Sequence, residues 1–182
     1  AAMADHWLPT WPGSEPALFL AWAKMILERG LYDRQFMETQ VNWDMWMSAV
    51  HPNESIDFDR FIELLIEEYA EYTPEFAASE CKIPVEQVIE AGEVVANAGS
   101  QLCTHVWRSA AIGNLGGWQV SRTLHFLNVL TGSLGTVGGT SPNSWSKFKP
   151  SLFDVPPNPD GWNELHFPPE YMLAHYEMSH IL

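Results

Sequence analysis

A chain of 182 residues, 46% hydrophobic and 13% aromatic, has a globular composition and enough material for one good core. Its formal charge of −14, with nine Lys and Arg against 23 Asp and Glu, excludes a nucleic-acid or anionic-membrane surface, because phosphate contacts need a basic face. No apolar run approaches the roughly 20 residues of a membrane span, and two cysteines, Cys81 and Cys103, make neither a disulfide framework nor a CxxC metal motif, which favours buried thiols.

In chain order, residues 4–9 read as a brief strand feeding a turn. Trp11 to Pro16 has helix-start chemistry: Pro12 and Gly13 form a turn dipeptide, Ser14 is a good N-cap, and Glu15 and Pro16 suit a first helical turn. The helix continues to about Arg29 with Leu18, Ala21, Trp22 and Met25 on one face, and Gly30 is its left-handed stop. A short helix follows over residues 33–39. Residues 40–55 carry Met and Trp pairs without clean periodicity and read as a packed connector.

Asp57 caps a helix expected over residues 58–72, with Phe61, Leu64, Leu65 and Tyr69 inward. Glu63, Glu67, Glu68 and Glu71 line its outer side as a solvated stripe rather than a cation site. Thr73 caps a helix over residues 74–79, and another over 85–97 is expected to bury Val88, Ile89 and Val95. Residues 101–107 alternate enough to be a strand. A helix over 118–131 buries Val120, Leu124, Leu127 and Leu130, and glycine-bearing turns end it. Residues 140–170, rich in Pro, Asn, Ser and Trp, read as an extended segment, and a last helix begins near Pro169.

The stretch Thr104 to Gly139 organises the rest. It opens as a strand, passes through a loop carrying Gly113, Gly116 and Gly117, and becomes a helix. Those glycines let backbone approach a ligand without a Cβ in the way, and the helix start offers unpaired N–H groups to an anion. Such a crevice between sheet and helix predicts an α/β fold and a phosphate-bearing ligand. GxGxxG, Walker A, GxSxG and HExxH runs are absent, the histidines lack metal spacing, and neither cysteine fits a cluster pattern, so no catalytic residue or metal ligand is assigned.

Three segments carry a resemblance. The first is ADHWLPTWPGSEPALFLAWAKMILERGLYD, residues 4–33. The second runs Tyr72, Thr73, Pro74, Glu75, Phe76, Ala77, Ala78 and resumes at Ile83 to Val88. The third comprises Trp107, Gly117, Arg122 and the run Leu130 to Gly135. In this order, over roughly the first 140 residues, they resemble the molybdopterin oxidoreductase family, whose enzymes hold molybdenum or tungsten between two pterin guanine dinucleotides.

The resemblance implies a piece of a catalytic subunit: residues 1–140 as a Rossmann-like dinucleotide-binding α/β domain, with helices on a mostly parallel sheet, and residues 141–182 as an interdomain segment. It implies that Pro12, Gly13, Ser14 and Glu15 meet a guanosine end of the cofactor; the family's usual acid is Asp, one methylene shorter than Glu15. It implies further that Trp107, Arg108, Ser109 and Gly113 approach the pterin or its pyrophosphate, with Arg108 donating to phosphate. Arg122, inside its helix, is expected in a structural salt bridge, and Gly138, Gly139 and Thr140 where the chain leaves for its neighbour.

The cofactor so implied is bis-molybdopterin guanine dinucleotide, with a 4Fe–4S cluster upstream of this segment. The partners implied are a small-molecule or oxyanion substrate and an iron–sulfur electron-transfer protein. A structural homologue, the large subunit of respiratory NADH dehydrogenase, and a hydratase using the same cofactor stand as alternatives.

Overall fold

Helix α1 (Glu15–Glu28) is the axis of the molecule. Leu18, Ala21, Trp22, Ala23, Met25, Ile26 and Leu27 are all buried, a set too wide for one stripe, so α1 is wrapped rather than laid on a surface. The computed structural model describes residues 3–106 and 117–141, which fall within one compact unit, Ala1–Ser141. Around α1 pack α4 (Phe58–Glu68), α5 (Pro74–Cys81), α6 (Val85–Asn97) and α7 (Trp118–Thr131); α2 (Arg34–Gln40) and α3 (Trp43–Val50) pack beyond them, on α7 and α4.

Local chemistry sets the boundaries. Gly30 at φ 64° ends α1, with Leu31 N–H donating back to Ile26 O at 3.0 Å, the six-to-one bond of a Schellman stop. Asp33, Asp57 and Thr73 cap α2, α4 and α5 with side-chain oxygens that accept from Phe36, Arg60 and Phe76 N–H. Lys24 donates to Ala70 O at 2.8 Å, which helps close the chain just past α4. Between α1 and α6 the backbones approach closely: Trp22 Nε1 donates to Val88 O at 2.9 Å, and a Cβ at Gly92 would lie 2.8 Å from Met25 Sδ.

The expected parallel sheet is not there. Among the described residues there is no strand, and the only β feature is a single bridge between Leu134 and Thr140. Residues 101–106 begin in a 3₁₀ turn (Gly99–Gln101) and then run extended. Their backbone groups go elsewhere: Thr104 N–H donates to Thr140 Oγ1 at 2.9 Å, and Leu102 O accepts from Asn128 Nδ2 at 3.1 Å. Side chains do here what a neighbouring strand does in a sheet. Residues 4–9 likewise form no strand; the chain bends at Asp5 and His6 and is otherwise irregular.

Smaller corrections have similar causes. The connector at 40–55 contains α3, which buries Met47 while Trp43 and Trp46 pack edge-on against Phe58 and Phe61, with centroids 5.4 and 5.5 Å apart. Helix α4 stops at Glu68, short of Tyr72. On α6 the buried set is Val88, Ala91, Gly92 and Ala96, leaving Ile89 at 38% exposure, because small residues let α1 come close. The acidic stripe on α4 is solvated as expected, with Arg60 bridging Glu54, Glu63 and Glu67. Arg60 holds the Glu54 carboxyl below its ordinary range, and Arg34 does the same for Asp59. No helix among the described residues is long and apolar enough to cross a membrane.

Candidate functional site

The loop before α1 is built as a small closed clasp. Trp11 N–H donates to Cys81 O at 3.0 Å, and Trp11 O accepts both Ser14 N–H at 3.0 Å and the Ser14 hydroxyl at 2.6 Å. The Ser14 side chain therefore turns back into the loop instead of capping α1, correcting the expected N-cap. Gly13 sits at φ 90°, which only glycine adopts without strain, and its N–H donates to Glu15 Oε2 at 2.8 Å. Glu15 stands at the first helical position, where the positive end of the helix dipole favours a carboxylate.

Exposure and hydrogen bonding together give this loop a direction. Pro12 and Gly13 are exposed and Ser14 and Glu15 half-buried, so all four predicted residues share one accessible turn. Trp11 has every backbone polar group engaged yet leaves its indole 68% exposed. From below, buried Cys81 at the end of α5 donates its thiol to Ser14 O at 3.3 Å, and burial pushes that thiol above its ordinary pKa. Cys103 is exposed and unpaired with Cys81, against the expectation of two buried thiols. Iodoacetamide should therefore label Cys103 in the native protein and reach Cys81 only after denaturation, a pattern that peptide mass mapping reads directly.

A second constellation lies at the end of α7. Asn128 is fully buried, and its amide makes three bonds: Oδ1 accepts from Thr104 Oγ1, and Nδ2 donates to Leu102 O at 3.1 Å and to Ser133 Oγ at 2.8 Å. Thr131 donates to Leu127 O at 2.9 Å, with Ser133 Oγ also 2.9 Å away. Thr140 completes the knot, 3.3 Å from Thr104 through their hydroxyls and donating its N–H to Ser133 O at 2.8 Å. Thr104, which opens the stretch marked in sequence, is thus bonded to Thr140, the residue just past its end. Gly139 belongs to the same turn, where a Cβ would press on Thr136 Oγ1 and on the carbonyl oxygens of Ser133 and Ser100.

This knot was not anticipated. Its signal was present in α7, where Asn128 falls four residues after Leu124 and three before Thr131 on the inward side. Trp107, Arg108, Ser109 and Gly113 lie outside the described residues, as does the segment from residue 142 onward. Arg122 was expected in a salt bridge; its guanidinium lies over the Trp118 ring, 5.7 Å from the centroid. No cluster of three metal-binding side chains occurs among the described residues.

No protein-family model matches the chain. Individual relatives do. The chain is 29% identical over 142 residues to a probable dimethyl sulfoxide reductase chain of Escherichia coli strain K12, covering 78% of this chain and 17% of that one. It is 26% identical over 140 residues to a nitrate reductase of Symbiobacterium thermophilum, covering 77% and 17%. These relatives are molybdopterin oxidoreductases, the family that the sequence resembles. A shorter stretch of the chain, 42 residues, is 45% identical to a sulfite dehydrogenase subunit of Allochromatium vinosum, covering 23% of this chain and 4% of the other. The chain spans about a sixth of the length of its reductase relatives.

Proposed function

We propose that this chain is part of the catalytic subunit of a molybdenum (or tungsten) oxidoreductase, and that its loop at residues 11–15 binds the guanosine end of one pterin dinucleotide arm. The observation that carries the reading is the alignment of 78% of the chain with a dimethyl sulfoxide reductase chain. The chemistry of the loop supports it. A carboxylate only accepts hydrogen bonds, which suits the N1–H and N2–H donors of guanine. The same charge at the start of α1 repels a phosphate there, so Glu15 fits the base and not the pyrophosphate.

When bound, the metal centre supplies two-electron oxygen-atom or hydride-type transfer. This chain's own residues bind and orient: Gly13 lets the loop backbone approach, Glu15 accepts from the base, and the bonds from Cys81 and Ser14 keep the loop rigid before the ligand arrives. Arg108, with Trp107, Ser109 and Gly113, belongs to the same proposal at the pyrophosphate side. So do a 4Fe–4S cluster elsewhere in the protein and an iron–sulfur electron-transfer partner, with a small-molecule or oxyanion substrate.

Metal and pterin analysis of the full-length protein from its native host tests this. Stoichiometric molybdenum or tungsten with two guanine dinucleotides per chain is the expected result. Iron–sulfur clusters without pterin would overturn the assignment in favour of a structural homologue.

A further inference from the structure

We propose that Asn128 is a positioning residue for the dinucleotide-binding role: its amide fixes the extended stem at residues 102–106, which leads in sequence to Trp107 and Arg108. The inference rests on the functional reading above, and it assigns a job to a side chain that neither the motifs nor the loop before α1 required.

The argument begins with position. Asn128 sits on the buried side of α7 among Val120, Leu127 and Leu130, where a leucine would fill the space without any polar atom to satisfy. An amide is tolerated there because every bond it makes is directional. The two Nδ2 protons go to Leu102 O and Ser133 Oγ, while Oδ1 takes the Thr104 hydroxyl. The amide has one orientation, since a flip would set Oδ1 against Leu102 O.

Next comes what the bonds join. Leu102 and Thr104 belong to the stem, Ser133 to the turn after α7, and Thr140, 3.3 Å from Thr104 Oγ1 and donating to Leu102 O at 3.3 Å, to the exit from that turn. No strand flanks the stem among the described residues, so its register along α7 is held by side chains. Shifting the stem by one residue would present outward-facing side chains to Asn128 and break together the bonds that Leu102 and Thr104 make to Asn128 and Thr140. Directional polar contacts in an apolar setting specify a geometry better than they stabilise it. A knot just before Trp107 and Arg108 in sequence, the residues proposed above for the pyrophosphate side, is where such specification has a use.

The test uses the full-length protein with three variants: Asn128→Leu, Asn128→Asp and Thr104→Val. Two quantities are read for each, amide hydrogen exchange in peptides covering 102–106 and 133–140, and pterin released per folded protein. With Asn128→Leu, exchange in both peptides should accelerate about tenfold or more while α1 stays protected, and pterin content should fall about fivefold or more. Asn128→Asp, which keeps Oδ1 but loses both donors, should behave alike. Thr104→Val removes a single hydroxyl and should shift both readings in the same direction by less; it also decides the matter if the Asn128 variants fail to fold.

Faster exchange with unchanged pterin would reduce Asn128 to a structural residue and overturn the proposal, and unchanged exchange would overturn it at its first step. A wild-type protein that releases no pterin sinks the functional reading itself, and the positioning role with it, before any variant is made.

Discussion

Gly139→Ala is expected to destabilise the protein by about 3 kcal/mol, the upper range for overpacking a filled site. The added methyl would lie against Thr136 Oγ1 and the carbonyl oxygens of Ser133 and Ser100, the last at 2.8 Å. Two of those atoms are backbone, so the strain cannot be relieved by a rotamer change. The carbonyls also cannot retreat freely, because Ser133 O already accepts Thr140 N–H and Ser100 O accepts the Thr136 hydroxyl. Relief therefore means opening the turn and exposing part of the Asn128 knot.

Gly30→Ala is the matching control. Gly30 has φ 64° and nothing within 4 Å of a built Cβ, so the change costs only the left-handed conformation, about 1 kcal/mol. Urea denaturation followed by far-ultraviolet circular dichroism compares the two. Equal midpoint shifts would show that the turn around Gly139 yields easily and that the knot is softer than its bonding indicates.

The elements that sequence reads well carry both their period and their punctuation locally. Helix α7 is legible residue for residue, because Gly117 precedes it, its apolar residues recur at helical spacing, and Gly132 at φ 62° ends it. Helix α1 is nearly so, with its first turn at Pro16 and its stop at Gly30. The 101–107 segment misleads because alternation belongs to any extended chain. What separates a strand from a stem is the nature of its neighbour, here Asn128 and Thr140, which lie 26 and 36 residues from the groups they bond. Helix α3 hides for another reason: Trp43 and Trp46 pack sideways on α4, so burial does not follow a single stripe.

The candidate site divides along the same line. Pro12 to Glu15 is readable because turn and helix-start residues act within a few positions of one another. Even there the detail escapes, since Ser14 has two local acceptor and donor choices and takes the loop over the helix. Asn128 reads in sequence as one more polar residue on an amphipathic helix. Its spacing from Leu124 and Thr131 places it inward, but only the packed structure shows that the stem and the turn after α7 both converge on it.

The role of Glu15 separates cleanly from the shape of its loop. In Glu15→Gln the amide oxygen can still accept Gly13 N–H, so the turn at φ 90° and the start of α1 keep their bonds. What changes is the ligand-facing chemistry: the negative charge disappears, and one acceptor becomes a donor facing the donors of guanine. Losing charge-assisted bonds of this kind costs about 2 kcal/mol, roughly thirtyfold in retention of the dinucleotide arm. Glu15→Asp supplies the acid usual in the family at the cost of one methylene, and it should hold the cofactor closer to the parent level. The measurement is pterin and guanine nucleotide content of full-length variants after dialysis against a fixed buffer, alongside their urea midpoints. Loss of nucleotide in Glu15→Gln at an unchanged midpoint, with Glu15→Asp spared, marks the carboxylate as the reader of the base. Equal content in all three proteins would leave Glu15 as a cap for Gly13 and the start of α1, and would move recognition of the guanosine elsewhere in the protein.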